Sequence, residues 1–349
     1  MVELIKEGVY LKDGKLVEKG AAGLPTPEEG RENTIAYQIL RSHDVDGSKG
    51  DKMRIKFDAM MSHDITYVGI IQTARASGLE KFPLPYAMTN CHNSLCAVGG
   101  TINEDDHVFG LSAAKKYGGI YVPANQAVIH QYAREAMVKC GNMILGSDSH
   151  TRYGSLGTMG VGEGGGELVK QLLENTWDIN APEVVLVWLE GKSRKGIGPH
   201  DVAISLVKAV FDNGFVKNKV LEFAGPGVKN LPIDFRNGID IMTTETTCLS
   251  SIWITDEEVK KHYDTHCHSE NYKELQPNGT AYYDGMIRID LDKQEAMIAL
   301  PFHPSNAYTI HELQADPERI MREVEEDAKK RFGDKVCVDL VGKIKDGKV

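Results

Sequence analysis

The sequence has no run of apolar residues that approaches the roughly 18 to 20 needed to span a membrane. Its start, MVELIKEGVY, contains acidic residues and lacks the basic segment and apolar run of a signal or transit peptide. Basic residues are not in excess either, since the net charge is −10 at pH 7. This charge argues against nucleic acid or an anionic membrane as the main partner. We therefore expect a cytoplasmic enzyme that binds neither.

Cysteine is scarce, with six among 349 residues and no pair at Cys-x-x-Cys spacing. Six are too few for a disulfide scaffold in a chain of this length, so we expect reduced thiols. The segment THCHSE would place His266 and His268 on one face of a strand. Two ligands without a third and fourth seldom make a metal site. We therefore expect no metal ligand set in this chain.

From about residue 63, short apolar segments alternate with longer helical patterns, which predicts βαβ units, a parallel sheet and an α/β fold. The length exceeds that of a usual single domain. We expect a first α/β domain at 1–190 and a second at 191–305. Residues 306–349 are predicted to hold a linker helix, DPERIMREVEEDAKKRFG, and then a strand in KVCVDLVGK that starts a truncated third domain.

Polar residues follow three successive predicted strands. His92 and Asn93 follow LPYAMT, His130 follows GIYVP, and the segment GSDSHT, with Asp148, Ser149 and His150, follows NMIL. The carboxyl ends of parallel strands meet at one edge of a sheet, where open α/β sheets bind ligands. A carboxylate beside an imidazole fixes its tautomer and raises its pKa, which suits proton transfer. His92, His130, Asp148 and His150 are therefore the catalytic candidates.

Other interpretations of these residues remain open. His130 alone fits a structural histidine, and SDSHT alone fits a turn and helix cap. GVGEGG resembles the glycine fingerprint of a dinucleotide-binding oxidoreductase, but SDSHTRYGSLGTM separates it from the preceding strand. We expect the glycines instead to let a helix at 165–177 pack close to the site, with its N-terminus aimed at an anion.

The segment ILGSDSHTRYGSLGTMGVGEGGGE closely resembles the signature of aconitase-family hydratases, the superfamily of aconitase and isopropylmalate dehydratase. VPANQAVIHQ, SHDITYVGIIQTARASGL and LEFAGPGVKNLPIDFRNGIDIMTTETTCLSS also resemble segments of that family. The resemblance implies an aconitase-type first domain followed by a second α/β domain. It also implies reversible dehydration or isomerisation of a hydroxy polycarboxylic acid with a 4Fe-4S cluster.

The resemblance assigns roles to individual positions. Asp148, His150 and His130 match catalytic residues, and Ser149 matches a serine that contacts a substrate carboxylate. Glu245 matches a glutamate near the cluster and is expected to bind substrate. Two positions depart from the family pattern: an Asp-His pair is replaced by His92-Asn93, and a substrate-facing glutamine is replaced by Val68. His92 would then donate the proton and Asn93 would contact substrate. We therefore expect a hydroxy acid other than citrate.

The family's cluster cysteines lie in a third domain that has no match in this chain, so we expect them beyond Val349. The chain then corresponds to the first two domains, either of a truncated protein or of one half of a split protein. It should bind no cluster and be inactive alone, and its partners would be the C-terminal domains or a separate subunit. The alternatives are a non-catalytic carboxylate-binding or regulatory fragment and the dinucleotide-binding oxidoreductase.

Overall fold

The computed structural model describes residues 2–18, 20–47, 50–90 and 101–345. The strands are β1 (Val2–Ile5), β2 (Val9–Lys12), β3 (Lys15–Leu16), β4 (Lys52–Ile55), β5 (Ala59–His63), β6 (Tyr86–Thr89), β7 (Ile120–Val122), β8 (Met143–Gly146), β9 (Met159–Gly162), β10 (Trp177–Asn180), β11 (Val184–Glu190), β12 (Val220–Ala224), β13 (Ser250–Trp253), β14 (Thr280–Tyr283), β15 (Gly285–Asp290), β16 (Met297–Ala299) and β17 (Ala307–Thr309). The helices are α1 (Pro27–Arg31), α2 (Ile35–His43), α3 (Tyr67–Ala76), α4 (Thr101–Tyr117), α5 (Ile129–Ala136), α6 (Gly165–Leu172), α7 (Pro199–Val210), α8 (Ile233–Met242), α9 (Glu257–Thr265), α10 (Ile310–Ala315) and α11 (Pro317–Phe332). Across the described ranges, each helix is too short or too polar to cross a bilayer.

The first sheet has the strand order β7-β6-β5-β8-β9, and every neighbouring pair is parallel. Its central strands are buried along their whole length, as expected for a sheet that is covered on both faces. Helix α3 packs against α4 and α6, and α5 contacts β5. The prediction of a parallel sheet with flanking helices is confirmed, and all five strands present their carboxyl ends at one edge.

The second sheet has the order β1-β15-β11-β12-β13, in which only β1 runs antiparallel to its neighbour. Its core includes Trp253, whose ring stacks on Phe223 with centroids 4.1 Å apart. Strands β1 and β11 belong to this sheet although both precede residue 191. The division of the chain at residue 190 stays a prediction.

Buried polar contacts join the two sheets. The Ser250 hydroxyl donates to the carbonyl of Gly160 at 2.7 Å, and the Ser155 amide donates to the carboxylate of Asp240 at 3.2 Å. Asp240 is fully buried and also accepts from the indole of Trp253 at 2.8 Å. These contacts hold the loop after β8 against the second sheet. Residues next to the second sheet therefore lie close to the edge where the strands of the first sheet end.

The C-terminal segment differs in part from its prediction. The predicted helix forms as α11, with Asp316 as its N-terminal cap and Gly333, at a φ of 65°, at its end. The strand predicted in KVCVDLVGK is wrong, because residues 336–340 form none. Instead the amides of Leu340 and Val341 donate to the Glu325 carboxylate at 2.6 and 2.8 Å, which ties the segment to α11 rather than to a sheet edge.

Candidate active site

Two predicted site residues and one unpredicted histidine lie where strands of the first sheet end. His63 is the last residue of β5, Asp148 lies two residues after β8, and His130 occupies the first turn of α5, which follows β7. The sheet topology therefore brings together side chains that are far apart in sequence. His92 and Asn93 lie outside the described residues.

Asp148 and His130 form the buried centre of this cluster. His130 Nε2 lies 3.0 Å from Asp148 Oδ1, and both side chains are about nine-tenths buried. A carboxylate only accepts hydrogen bonds, so Nε2 carries the proton and donates. In the neutral ring, Nδ1 is then left to accept from the Tyr153 hydroxyl at 3.2 Å. Burial raises the pKa of Tyr153 well above its ordinary value, so this hydroxyl keeps its proton.

Two more histidines surround the Asp148 carboxylate. The His150 amide donates to Oδ1 at 2.8 Å, and His63 Nε2 lies 3.6 Å from Oδ2. Burial would raise the pKa of Asp148, but hydrogen bonds from His130 and His150 hold it well below the ordinary value. Asp148 is therefore a permanent negative charge at this edge and does not itself supply protons at neutral pH.

His150 connects Asp148 to the second sheet. Its Nε2 lies 3.1 Å from Glu245 Oε1, and its Nδ1 lies 3.7 Å from Asp148 Oδ1 and 3.3 Å from the Ser149 hydroxyl. The pKa of His150 is raised by its interaction with Asp148, against the effect of burial, and by the charge of Glu245. Its side chain is 37% exposed, so solvent or a ligand reaches this imidazole.

Glu245 is held in place by residues of the second sheet and its connections. It lies in a turn of 3-10 helix at Thr243–Thr246, and the hydroxyl of neighbouring Thr244 donates to the Ser149 carbonyl at 2.6 Å. His303 Nε2 approaches the second Glu245 oxygen at 4.0 Å. The Ser305 amide donates to His303 Nδ1 at 3.1 Å, which leaves the proton of a neutral ring on Nε2, facing Glu245.

The glycines of the signature let the DSHT loop fold tightly over the strand ends. A Cβ on Gly146 would collide with the Thr151 side chain, and one on Gly162 would collide with the Asp148 carbonyl. The Thr151 hydroxyl in turn donates to that same carbonyl at 2.7 Å. Residues 147–151 therefore depend on small neighbours in β8 and β9.

The helix after the glycines is shorter than predicted, since α6 ends at Leu172 instead of residue 177. Gly164 caps it, and Gly165 lies against Ile70 of α3, so the glycines do serve close packing. Glu163 and Glu167 flank the N-terminus. Burial and the charge of Glu167 raise the pKa of Glu163. Binding of an anion at this helix end stays a prediction. The negative charges of these two carboxylates would oppose it.

The described residues do not provide a set of cluster ligands. Cys140 and Cys248 are buried with their Sγ atoms against backbone carbonyls, whereas Cys267 and Cys337 are exposed. Within the described part of the chain, no three histidine, cysteine, aspartate or glutamate side chains are arranged to hold a metal ion. His266 and Cys267 follow the end of α9 and do not form the expected strand.

Sequence reasoning missed His63 and His303. His63 ends a strand of five consecutive buried residues, AMMSH, which lacks the alternation that identifies a half-buried strand. The available sequence signal was that His63 ends this apolar segment, as the other candidates follow theirs. His303 carries no local signal, because its role depends on a contact with Glu245, 58 positions earlier in the sequence.

The sequence matches the profile of the aconitase family (aconitate hydratase) over residues 37–349. It is 29% identical over 203 residues to a 3-isopropylmalate dehydratase large subunit of Elusimicrobium minutum, covering 58% of this chain and 48% of that protein. It is 24% identical over 290 residues to 3-isopropylmalate dehydratase large subunit 1 of Thermotoga maritima, covering 82% and 69%. It is 27% identical over 300 residues to a mitochondrial aconitate hydratase of Aspergillus fumigatus, covering 79% and 38%. The chain thus spans about half the length of the first of these relatives.

Proposed function

Because the chain belongs to the aconitase family, we propose that it is the N-terminal part of a hydro-lyase that reversibly dehydrates a hydroxy polycarboxylic acid. The observation that carries this proposal is the Asp148–His150–Glu245 arrangement, in which two carboxylates hold one accessible imidazole. The names of the relatives, 3-isopropylmalate dehydratase and aconitate hydratase, supply the reaction class and the type of substrate.

Dehydration requires a proton for the leaving hydroxide, and His150 is suited to provide it. The raised pKa of His150 increases the fraction of the imidazolium form at neutral pH. Its Nε2 proton is engaged by Glu245 at 3.1 Å, whereas its Nδ1 faces only longer contacts with Ser149 and Asp148. The Nδ1 proton is therefore the one that passes to the leaving hydroxide. Until that transfer, Asp148 and Glu245 stabilise the charged imidazolium.

His130 and Ser149 have supporting roles in this proposal. His130 fixes the orientation of Asp148 through the 3.0 Å contact between its Nε2 and Asp148 Oδ1. It therefore acts on His150 only through the Asp148 carboxylate. Ser149 is exposed and its hydroxyl lies beside His150, so it is placed to donate to a substrate carboxylate. His92, in the segment outside the described residues, is the alternative proton donor to the leaving hydroxide, and Asn93 keeps its proposed contact with the substrate.

A 4Fe-4S cluster of the family type would act as a Lewis acid on the substrate hydroxyl. Since the described residues lack a ligand set for it, we propose that its cysteines belong to C-terminal domains of the same protein or to a separate subunit. Two of the relatives are themselves named large subunits. The chain alone would then be inactive, and its residues would form the acid-base wall of the cleft.

The substrate is proposed to be a hydroxy acid other than citrate. Val68 stands where the family pattern has a glutamine. Its apolar side chain is partly buried against the hydrophobic core around the first sheet. An apolar group at this point favours a substrate with an alkyl substituent over one with a third carboxylate. A 2-hydroxy dicarboxylate with an apolar branch, of the 3-isopropylmalate type, fits this difference.

The first test is a titration of the ¹⁵N-labelled chain with millimolar malate, 3-isopropylmalate and citrate, followed by nuclear magnetic resonance. We expect the His150 ring signals and the amides of residues 147–151 to shift, most with 3-isopropylmalate. The His150→Asn variant should lose this response, whereas His268→Asn, which alters a histidine of similar exposure, should retain it. If no hydroxy acid moves these signals, the proposal is wrong.

The second test measures alkene formation by ultraviolet absorbance in the complete enzyme. We expect turnover that is lost when iron is chelated and in His150→Asn, but kept in His268→Asn. Binding without alkene formation by the complete, cluster-loaded enzyme would instead support a non-catalytic carboxylate-binding protein.

A further inference from the structure

Two imidazoles approach the Glu245 carboxylate, one at each oxygen. His150 Nε2 lies 3.1 Å from Oε1, and His303 Nε2 lies 4.0 Å from Oε2. The longer contact exceeds a direct hydrogen bond, so it acts through the electrostatic attraction between an N–H group and a carboxylate. Within the described ranges, these two imidazoles are the polar side chains that come within 4.0 Å of the Glu245 carboxylate.

The backbone that carries His303 is a tightly hydrogen-bonded loop between β16 and β17. The Asn306 amide donates to the His303 carbonyl at 2.9 Å, and the Leu300 amide donates to the Asn306 carbonyl at 2.7 Å. Helix α7 contacts both strands of this hairpin and also the 3-10 turn that carries Glu245. The hairpin and the turn are therefore held against the same helix, which fixes the distance between His303 and Glu245.

The ring of His303 is oriented from two sides. It stacks on Phe211, the residue at the C-terminal cap of α7, with ring centroids 3.7 Å apart and an angle of 24° between the planes. The Ser305 amide donates to Nδ1 at 3.1 Å. Because a backbone amide can only donate, Nδ1 accepts, and the proton of the neutral ring lies on Nε2. The loop thus presents a fixed N–H donor to Glu245.

Other charged groups lie near His303 but are paired with one another. A cavity of about 510 Å³ beside His303 is lined by charged side chains of α7 and α11, namely Lys208, Asp212, Glu323, Asp327 and Arg331. Arg331 pairs with Asp327 at 2.7 Å, and Lys208 lies 3.7 Å from Glu312. In the described part of the chain, Glu245 is the carboxylate that comes within 4.0 Å of a ring nitrogen of His303.

Glu245 needs a second contact if its carboxylate is to stay on His150. Its side chain is 26% exposed, and holding a glutamate in one rotamer costs more conformational entropy than holding most other side chains. The hydroxyl of Thr244 ties the backbone of the turn to the Ser149 carbonyl but does not hold the carboxylate. If Glu245 turned away, the charged carboxylates facing His150 would be reduced to Asp148.

We propose that His303 is a positioning residue, which fixes the Glu245 carboxylate so that Oε1 accepts from Nε2 of His150. This inference rests on the proposed hydro-lyase function, in which the His150 imidazolium protonates the leaving hydroxide. His303 acts on His150 through Glu245 and exchanges no proton with the substrate. It therefore strengthens the acid of the reaction from outside the DSHT loop.

The titration of His150 in the chain alone gives the first readout, followed by ring ¹H–¹⁵N spectra. His303→Phe keeps an aromatic ring for stacking but removes the N–H group, and we expect it to lower the midpoint of the His150 titration by about 0.5 pH unit. His303→Gln keeps a neutral N–H donor of similar reach and should stay close to the wild type. His311→Gln, at an 85% exposed side chain, is the control.

The side chain of His303 is 30% exposed, so both replacements should be tolerated. A His150 midpoint that is unchanged or higher in His303→Phe would overturn the proposal. An equal fall in His303→Gln and His303→Phe would overturn it as well, because the N–H group would then not be what matters.

A double-mutant cycle with Glu245→Gln tests the route of the effect. In the Glu245→Gln background the carboxylate is already absent, so His303→Phe should lower the His150 midpoint no further. A further fall of the same size would show that His303 reaches His150 by another route, and the positioning role through Glu245 would be wrong.

The complete enzyme separates this inference from the proposed function. The acid must be protonated, so kcat/KM should fall as the pH rises through the pKa of His150. His303→Phe should move this alkaline limb by about 0.5 pH unit to lower pH, and His303→Gln should leave it in place. Turnover with an unmoved limb in His303→Phe would overturn the inference and leave the hydro-lyase proposal standing. If the complete, cluster-loaded wild type turns over no hydroxy acid, the proposed function is wrong, and the midpoint in the chain alone still decides whether His303 positions Glu245.

Discussion

Replacing Glu222 by glutamine should make the protein more stable above neutral pH and change little in acid. Glu222 lies on β12 and is fully buried. Its Oε2 accepts from the Ala36 amide at 2.9 Å and its Oε1 from the Tyr283 hydroxyl at 2.7 Å. Burial outweighs these hydrogen bonds and raises its pKa from 4.5 to about 7.

The magnitude follows from linkage between proton binding and folding. Below the unfolded pKa the carboxyl is neutral in both states, so the stabilisation from proton binding is fully present. As the pH rises through the folded pKa of about 7, that stabilisation is lost. A difference of one pKa unit between the folded and unfolded states corresponds to about 1.36 kcal/mol. The rise from 4.5 to about 7 therefore amounts to a total loss of about 3 kcal/mol in the free energy of unfolding. Glutamine keeps the shape of the side chain without a charge that would need to be buried.

Urea denaturation followed by tryptophan fluorescence between pH 5 and pH 8.5 measures the effect. We expect the stability of Glu222→Gln relative to the wild type to rise by about 2.5 kcal/mol across that range, because part of the total is already lost at pH 5. Glu270→Gln, at a 71% exposed side chain, should show no such trend. A difference between Glu222→Gln and the wild type that is constant with pH would refute the reasoning.

Three other predictions concern the site and the second sheet. In the complete enzyme, His150→Ala should lower kcat by about 10² to 10⁴-fold, and wild-type turnover would contradict its assignment. Glu245→Gln removes a charge that raises the pKa of His150, so the alkaline limb of the kcat/KM profile should move to lower pH, and an unmoved limb would contradict this coupling. Arg236 is fully buried and pairs through both of its terminal nitrogens with Asp256, whose side chain is 28% exposed, so Arg236→Met should cost about 1.5–3 kcal/mol in urea denaturation. Arg319→Met, at an exposed helix pair, should cost less than about 1 kcal/mol. Equal costs for the two arginines would count against the burial argument.

The parallel sheet could be predicted from the sequence because strand and helix periodicities alternate along the chain. The same alternation placed His130, Asp148 and His150 at strand ends, and the structure brings them into contact. Their catalytic roles stay a prediction. Local patterns could not supply Glu245, which reaches His150 across 95 positions. Only the resemblance to a family pointed to it.

The predictions that failed did so for identifiable physical reasons. The segment KVCVDLVGK alternates as a strand should, but its amides at Leu340 and Val341 bond to Glu325 instead of to a sheet edge. The strand expected for THCHSE does not form either, because α9 continues to Thr265 and His266 is its C-cap. In the first case a tertiary contact decided the outcome where the local pattern was ambiguous.

The charges at the candidate site indicate what the proposed cluster-bearing part would have to contribute. Asp148 and Glu245 are two carboxylates, and one protonated His150 does not neutralise both. Arg152 is the arginine that follows the DSHT segment, but its guanidinium donates to the carbonyls of Thr151 and Cys248. A polycarboxylate, the proposed substrate, would therefore meet side chains that are proposed to exchange protons with it but that offer its negative charges little compensation. We accordingly expect this chain to bind hydroxy polycarboxylates no more tightly than the millimolar range. Addition of the cluster-bearing part should tighten binding by orders of magnitude and make it strongly dependent on salt. Micromolar binding by this chain alone would show that the wall contains a cation site that this charge count misses.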